Sequence, residues 1–411
     1  MDIQAILAAE LKGSVDFYQQ YTNLDSSSPG YGLTVDSTKK PQIASIASTG
    51  FALTAWVIGH ARGYLDARQA VEITRGTLRT LSERVSQHRG FFAHYLDMRT
   101  GLRHKACEYS TIDTALCLNG VITAAAYFQD AEIQEQAQRL MERVDWNWLV
   151  FERGERMLFH MAYNPDRHGD YVEGEPGFIS QWDMSAEQKM MYLQAAPYLP
   201  PETARRLYAG FVRDTGSYEG QPVIYIPGGS LFAYQFSEAW MDFGGYLDPD
   251  GVNWFENTRR AALANRAFCI ENSDRYKTYH ANSWGLSAGD CPRGYGVYGS
   301  PPCRGKPWHD GTVSIYAALA CLPFIPDETM ALVDYLYHQQ PRTWGDYGFF
   351  DAYNLDVSPA WYSTSLYGID KGCSMIMIEN YLSGLIWKTY TGSDLIQKSL
   401  AVLEFTKKPG V

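Results

Sequence analysis

The first 18 residues, MDIQAILAAELKGSVDFY, lack the basic start and apolar core of an export signal. The protein is therefore expected in the cytoplasm, or in the periplasm or outside the cell if a leader was removed. Nowhere do about 18 apolar residues run together, so no membrane span is expected. Cysteine is sparse, with seven in 411 residues: Cys107, Cys117, Cys269, Cys291, Cys303, Cys321 and Cys373. An odd number cannot pair completely within the chain and no CxxC occurs, which excludes a disulfide scaffold. Cations are outnumbered, 35 Lys and Arg against 46 Asp and Glu, for a net charge of -11. That balance argues against nucleic acid and against an anionic membrane surface, and suits a neutral ligand. No nucleophile elbow, phosphate-cradling loop or dinucleotide-binding turn is expected. His280, Cys291, Cys303 and His309 share a long loop but match no zinc spacing, so neither a metal nor a cofactor is expected.

What is abundant is aromatic: 14% of residues, including 29 Tyr and 11 Trp. Ring faces stack on the apolar faces of pyranoses, so this enrichment in an acidic chain fits a carbohydrate site, although core packing also uses aromatics. At 45% hydrophobic residues the chain can bury a large core. Its length fits either two domains or one large closed toroid.

Hydrophobic periodicity and caps predict about a dozen helices. They fall at residues 3–22, 43–59, 66–86, 110–128, 130–144, 185–195, 202–213, 230–242, 251–270, 312–321, 327–338, 372–388 and 393–403. Asp66, Asp130 and Ser393 stand as N-caps. Residues 23–39 form a polar connection. Residues 145–181 are turn-rich with a hairpin near Arg153, and 221–226 reads as a short strand. Residues 271–312 are the longest stretch without periodicity, and loops of that length usually carry function. Small-residue helices alternate with amphipathic ones, which predicts an inner and an outer helical ring. The expected fold is an all-α toroid with a funnel of rim loops, little strand and no linker dividing residues 1–411. Within it, residues 1–40 supply an N-terminal helix and connection.

Four stretches carry candidate chemistry. In WGDYGFFDAYN, Asp351 and Asp346 lie among Trp344, Tyr347, Phe349, Phe350 and Tyr353, as a sugar-binding carboxylate would; a buried aromatic cluster with a capping Asp is the other reading. Asp183 and Glu187 would share one helix face at a spacing of four, which raises one pKa and suits a general acid, or else Asp183 caps the helix and Glu187 is solvated. Asp113 falls inside an apolar helix near Glu108 and Tyr109, and a buried Asp needs a partner: a sugar, a water or a neighbouring loop. Tyr234, Gln235, Glu238 and Asp242 recur three or four residues apart, facing either a wet funnel or the outside. Arg259 and Arg260 are placed to pair with Glu238 and Asp242.

Several segments together resemble a known group. They include STGFALTA (48–55), STIDTAL (110–116), VDWNW (144–148), GGSLFAYQFSEAWMDF (228–243), WGLSAGD (284–290), GDYGFFDAYNL (345–355) and MIENYLSGLIWK (377–388). Their order and content are similar to the glucoamylase-like domain family of bacterial proteins, which includes the endo-β-1,2-glucanases of glycoside hydrolase family 144. The resemblance implies an (α/α)6 barrel and an inverting hydrolysis of β-glucan, chiefly β-1,2-linked. It implies Glu187 as acid, Asp351 as base and Asp113 as a further acid at the substrate, with Glu108 just upstream. Trp240 and Trp284, within the same segments, join Asp183, Tyr234, Gln235, Glu238, Trp344, Tyr347, Phe350 and Tyr353 as substrate-binding candidates. The partner implied is an oligo- or polysaccharide. Many relatives read HQYSHAWxDFR where this chain has Tyr234, Glu238 and Gly244, so the glycan can differ. The loop 292–309 would close one end of the cleft and favour exo action or a short oligosaccharide. A catalytically silent sugar-binding toroid and a transglycosylase are the competing functions.

Overall fold

Side-chain size along the helices sets the architecture. The computed structural model describes residues 1–409. Its helices begin with α1 (Ile3–Tyr21), α2 (Ile46–Ala61), α3 (Ala67–Glu83), α4 (Thr111–Phe128), α5 (Ala131–Glu142), α6 (Lys189–Ala195) and α7 (Pro201–Gly210). They continue with α8 (Phe232–Trp240), α9 (Trp254–Glu271), α10 (Ile315–Leu319), α11 (Pro326–Gln339), α12 (Gly368–Ser383), α13 (Leu385–Thr391) and α14 (Asp394–Val402). The even-numbered helices up to α12 are buried around most of their circumference; α2 is buried at every residue from Ile46 to Gly59. The odd-numbered ones bury one stripe, as α3 does with Ala70, Ile73, Thr74, Thr77, Leu78 and Leu81.

Glycine lets the buried helices approach. A Cβ on Gly120 of α4 would lie 2.0 Å from the Gly50 carbonyl oxygen of α2, and one on Gly50 would lie 2.4 Å from Cys117 Cα. Any larger residue would force the two backbones apart. On its other side α2 packs against α12, which returns from the far end of the chain and also meets α10. The main apolar core is continuous from Ile6 to Leu403; a small satellite surrounds Val223, Ile226 and Tyr234.

The structure corrects several expectations. Strand is more frequent than periodicity suggested: the described residues hold nineteen short strands in small sheets. Most have two to four residues, too few to show an alternation. The longest, Arg156–Asn164, pairs with Val150–Arg153 across the expected hairpin and with Gly177–Gln181. The helix expected over 372–388 is two, α12 and α13, broken at Gly384 with φ +68°. Ser393 precedes α14, but its hydroxyl donates back to the Tyr390 carbonyl and caps nothing. Asp66 and Asp130 do cap α3 and α5. Arg259 and Arg260 both pair with Glu256, not with Glu238 or Asp242. One helix, α4, is long and apolar enough by composition to cross a bilayer; it is packed in the core against α2.

Helix α1 is tied in by a buried ion pair. Lys371 Nζ of α12 lies 2.5 Å from Glu10 Oε1, and Glu10 Oε2 accepts the Phe349 amide at 2.7 Å. Both side chains are nearly inaccessible, so removing one strands the other's charge in the core. Glu10→Ala is expected to cost about 3–5 kcal/mol, read as a shift in urea-denaturation midpoint at unchanged slope. A change under about 1 kcal/mol would show that the pair leaves the core when broken.

Candidate active site

Acidic side chains collect where the inner helices begin. Asp113 is in the first turn of α4, and its carboxylate accepts the Ser110 hydroxyl at 2.6 Å. Asp370 is in the first turn of α12. Glu187 lies in the turn two residues before α6. Asp351 sits between two short strands, and its carbonyl accepts the first amide of α10, from Ile315, at 2.8 Å. The positive ends of α4 and α12 favour carboxylates there.

Glu187 is half-buried and clamped from α8, where the Ser237 hydroxyl donates to its carbonyl and accepts the Met190 amide at 3.1 Å. Burial pushes its carboxyl up to about 7, with the charge of Asp113 adding to the rise. A carboxylic acid that keeps its proton near neutrality is suited to general acid work. Asp351 is 3% exposed, and its Oδ2 accepts the Asp290 amide at 2.6 Å. Burial pushes it up to about 6, opposed by that amide and by Asp370.

Between them lies a histidine that sequence reasoning missed. His94 Nδ1 is 2.7 Å from Glu108 Oε1, its Nε2 is 3.6 Å from Asp113 Oδ2, and its ring stacks on Tyr95. Burial alone would lower its pKa; the charges of Asp113, Glu108 and Asp36 raise it to about 9 instead. The imidazolium therefore neutralises part of the charge of the three carboxylates around it, Asp113, Glu108 and Asp36. Burial alone would raise Glu108 too, yet the hydrogen bond from His94 holds it below the usual carboxylate range. Asp36 is raised by burial, feels both His94 and Asp113, and in turn adds to the rise at Asp370. Lys39 pairs with Asp290 at 2.5 Å. Tyr295, 49% exposed, stands edge-on to Tyr367 beside the Asp351 end. Tyr171 is 74% exposed, with φ +63°, near Glu108 and Asp113. These two rings flank the acids and suit sugar faces.

Other candidates lie elsewhere. Asp183 and Glu187 share no helix face, because α6 begins only at Lys189; Asp183 pairs with Arg153 at 3.0 Å. Five of the substrate-binding candidates are buried, each with a polar atom bonded to protein. Tyr234 accepts the Ile226 amide, Gln235 donates to the Ala317 carbonyl, and Trp240 donates to Thr54. Glu238 accepts the Thr258 hydroxyl, and Tyr353 bonds Ser283. Trp284 is fully buried as well. Trp344 packs on Phe349, Tyr347 packs on Phe17 and Tyr21 of α1, and Phe350 covers a small void beside Asp351.

Two glycine patterns, contrary to expectation, do occur. Gly285–Gly289 spells G-x-S-x-G, and Gly294–Gly299 spells G-x-G-x-x-G. Ser287 is fully buried between Ser230 and Tyr316, with its oxygen accepting the Phe232 amide, so it is no exposed nucleophile. The second pattern forms a hairpin with Ala288–Cys291 and opens no helix. Among the described residues no group of three His, Cys, Asp or Glu side chains is placed to hold a metal ion.

The Glycoamylase family model, described as "Putative glucoamylase", matches residues 179–394, which span Glu187, Asp351 and Asp370. The chain belongs to the glycoamylase family. A glycoamylase structure from Bacteroides uniformis superposes with a TM-score of 0.86 at 26% identity, covering 99% of this chain and 98% of that one. An endo-β-1,2-glucanase from Chitinophaga pinensis, solved with sophorotriose and glucose, superposes at 0.85 over 99% of both chains and shares the fold at 22% identity. An exo β-1,2-glucooligosaccharide sophorohydrolase (non-reducing end) from Parabacteroides distasonis is 27% identical over 93% of this chain and 56% of its own length. The chain spans about half the length of that curated relative.

Proposed function

We propose that the chain is an anomer-inverting glycoside hydrolase of β-1,2-linked glucan or its oligosaccharides. Its helices would form one (α/α)6 barrel, with α2, α4, α6, α8, α10 and α12 inside and the cleft at their N-terminal ends. The observation that carries the reading is the pairing of Glu187, raised to about 7, with Asp351, raised to about 6, on the same acidic row. Glu187 protonates the leaving oxygen, and Asp351 takes a proton from the attacking water. Asp113, fixed by Ser110 and facing His94, positions a sugar hydroxyl or that water. Inversion by this pair needs the two carboxyls about 6.5–9.5 Å apart, with room for a water between base and sugar.

The names of the similar proteins support the β-1,2 linkage, and the loop 292–309 supports short substrates. It folds back so that the Ser300 amide bonds the Gly229 carbonyl at 3.1 Å and Arg304 pairs with Asp214, which ties the loop to the turn before α8. The test is incubation with β-1,2-glucan and its oligosaccharides, with β-1,3-, β-1,4- and α-1,4-glucans alongside, followed by product sizing. Release from the β-1,2 series alone, with one short product from the first time point, is expected. Binding without release would favour a silent sugar-binding barrel, and products longer than the substrate a transglycosylase.

A further inference from the structure

Three carboxyl groups meet behind the cleft: Asp290, Asp351 and Asp370, all between 1% and 3% exposed. Their hydrogen-bond donors are unequally shared. Asp290 takes Lys39 Nζ at 2.5 Å, the Ser363 hydroxyl at 2.6 Å and the Cys291 amide at 3.1 Å. Asp351 takes the Asp290 amide. Asp370 lies within reach of the Asp351 carboxyl and the Tyr316 hydroxyl, but both of its oxygens are buried without a well-formed hydrogen bond. Nearby donors are engaged elsewhere. Tyr18 of α1 donates to the Gly368 carbonyl at 2.5 Å and Tyr316 of α10 to the Ala288 carbonyl at 2.6 Å. Lys371, the next residue, is committed to Glu10 at 2.5 Å. Tyr295, Tyr367 and Cys373 are all raised by burial and carry no charge near neutral pH, and Asp36 adds only negative potential.

Lys39 offsets one carboxylate, so two remain against no cation. Like charges in hydrogen-bonding contact do not both ionise. We propose that Asp370 is a positioning residue that keeps the proton of a two-carboxyl pair and donates it as a hydrogen bond to Asp351. The proton stays on Asp370 because Asp351 alone has a backbone amide to stabilise its anion. Burial, then the neighbouring Asp351, holds Asp370 well above the usual carboxylate range, although it sits at a helix N-terminus that favours the anion. The donated O–H fixes the orientation of the Asp351 carboxyl and lowers its pKa, so that Asp351 ionises ahead of Asp370. This inference rests on Asp351 being the general base.

The test compares Asp370→Asn, which keeps an N–H donor, with Asp370→Ala, which has none, and uses Asp351→Asn as the control for the base itself. Infrared difference spectra at pH 7.5 between wild type and D370N are expected to show a protonated-carboxyl band that the variant lacks. In kcat/KM profiles on β-1,2-glucooligosaccharides, D370A is expected to move the acidic limb up by a pH unit or more. D370N should retain at least tenfold more kcat than D370A at pH 6. No carboxyl band in the wild type, or an acidic limb that moves down in D370N, would overturn the inference even if D370A fails to fold. Wild-type turnover in D351N would instead remove Asp351 as base, a separate failure.

Discussion

Glu187→Gln is expected to lower kcat on β-1,2-glucooligosaccharides by about 10³-fold, within the range that a lost general acid costs. The amide matches the carboxyl in shape and keeps the clamp from Ser237, which holds the backbone and not the side chain. Folding should therefore be undisturbed, and thermal midpoints within about 2 °C of wild type would confirm that. The loss should fall on kcat and spare KM, because protonation of the leaving oxygen occurs only in the transition state. A β-glucoside with a nitrophenolate leaving group needs little protonation, so with it the deficit should shrink. A variant within about tenfold of wild type on natural linkages would remove Glu187 as the acid.

Asp351→Asn is expected to have a loss of similar size, about 10³-fold, with no recovery on activated leaving groups, because the missing step is deprotonation of water. The two residues also fix the pH profile. The base must be ionised, so activity rises as pH climbs through about 6, the value for Asp351. The acid must be protonated, so activity falls as pH climbs through about 7, the value for Glu187. The result is a narrow bell centred between them. Both limbs lie above the ordinary carboxylate range because burial is the largest cause at each residue. A plateau from pH 4 to 6 would contradict the assignment of Asp351.

The helical alternation was legible because it is written in side-chain volume. Residues 46–59, IASTGFALTAWVIG, carry small residues and no charge where α4 and α12 approach, whereas α3, ARQAVEITRGTLRTLSE, sets charged residues opposite one buried stripe. Asp113 was legible as a charge inside an apolar helix. Asp370 carries the same signal in GIDKGCSMIMI, but the helix was expected to start at Gly372, which left Asp370 outside it. The spacing of Glu187 to Asp183 carries no information, because both residues precede α6 and share no helix face. His94, Asp36 and Asp290 were not legible. Each is defined by partners from other segments, as when His94 meets Glu108 and Asp113, and no local period reports that. The buried aromatics misled in the other direction. Trp240, Trp284 and Tyr353 stand in motifs beside acids yet are buried, whereas the exposed rings near the acids are Tyr171, in a loop, and Tyr295, in a four-residue strand too short to show a period.

The most direct measurement is proton NMR of the first sugar released by the wild-type protein from a β-1,2-glucooligosaccharide. On the proposed roles of Glu187 as acid and Asp351 as base, the α-anomer should appear first and convert to the equilibrium mixture afterwards. Initial appearance of the β-anomer, or no release at all, would contradict the account.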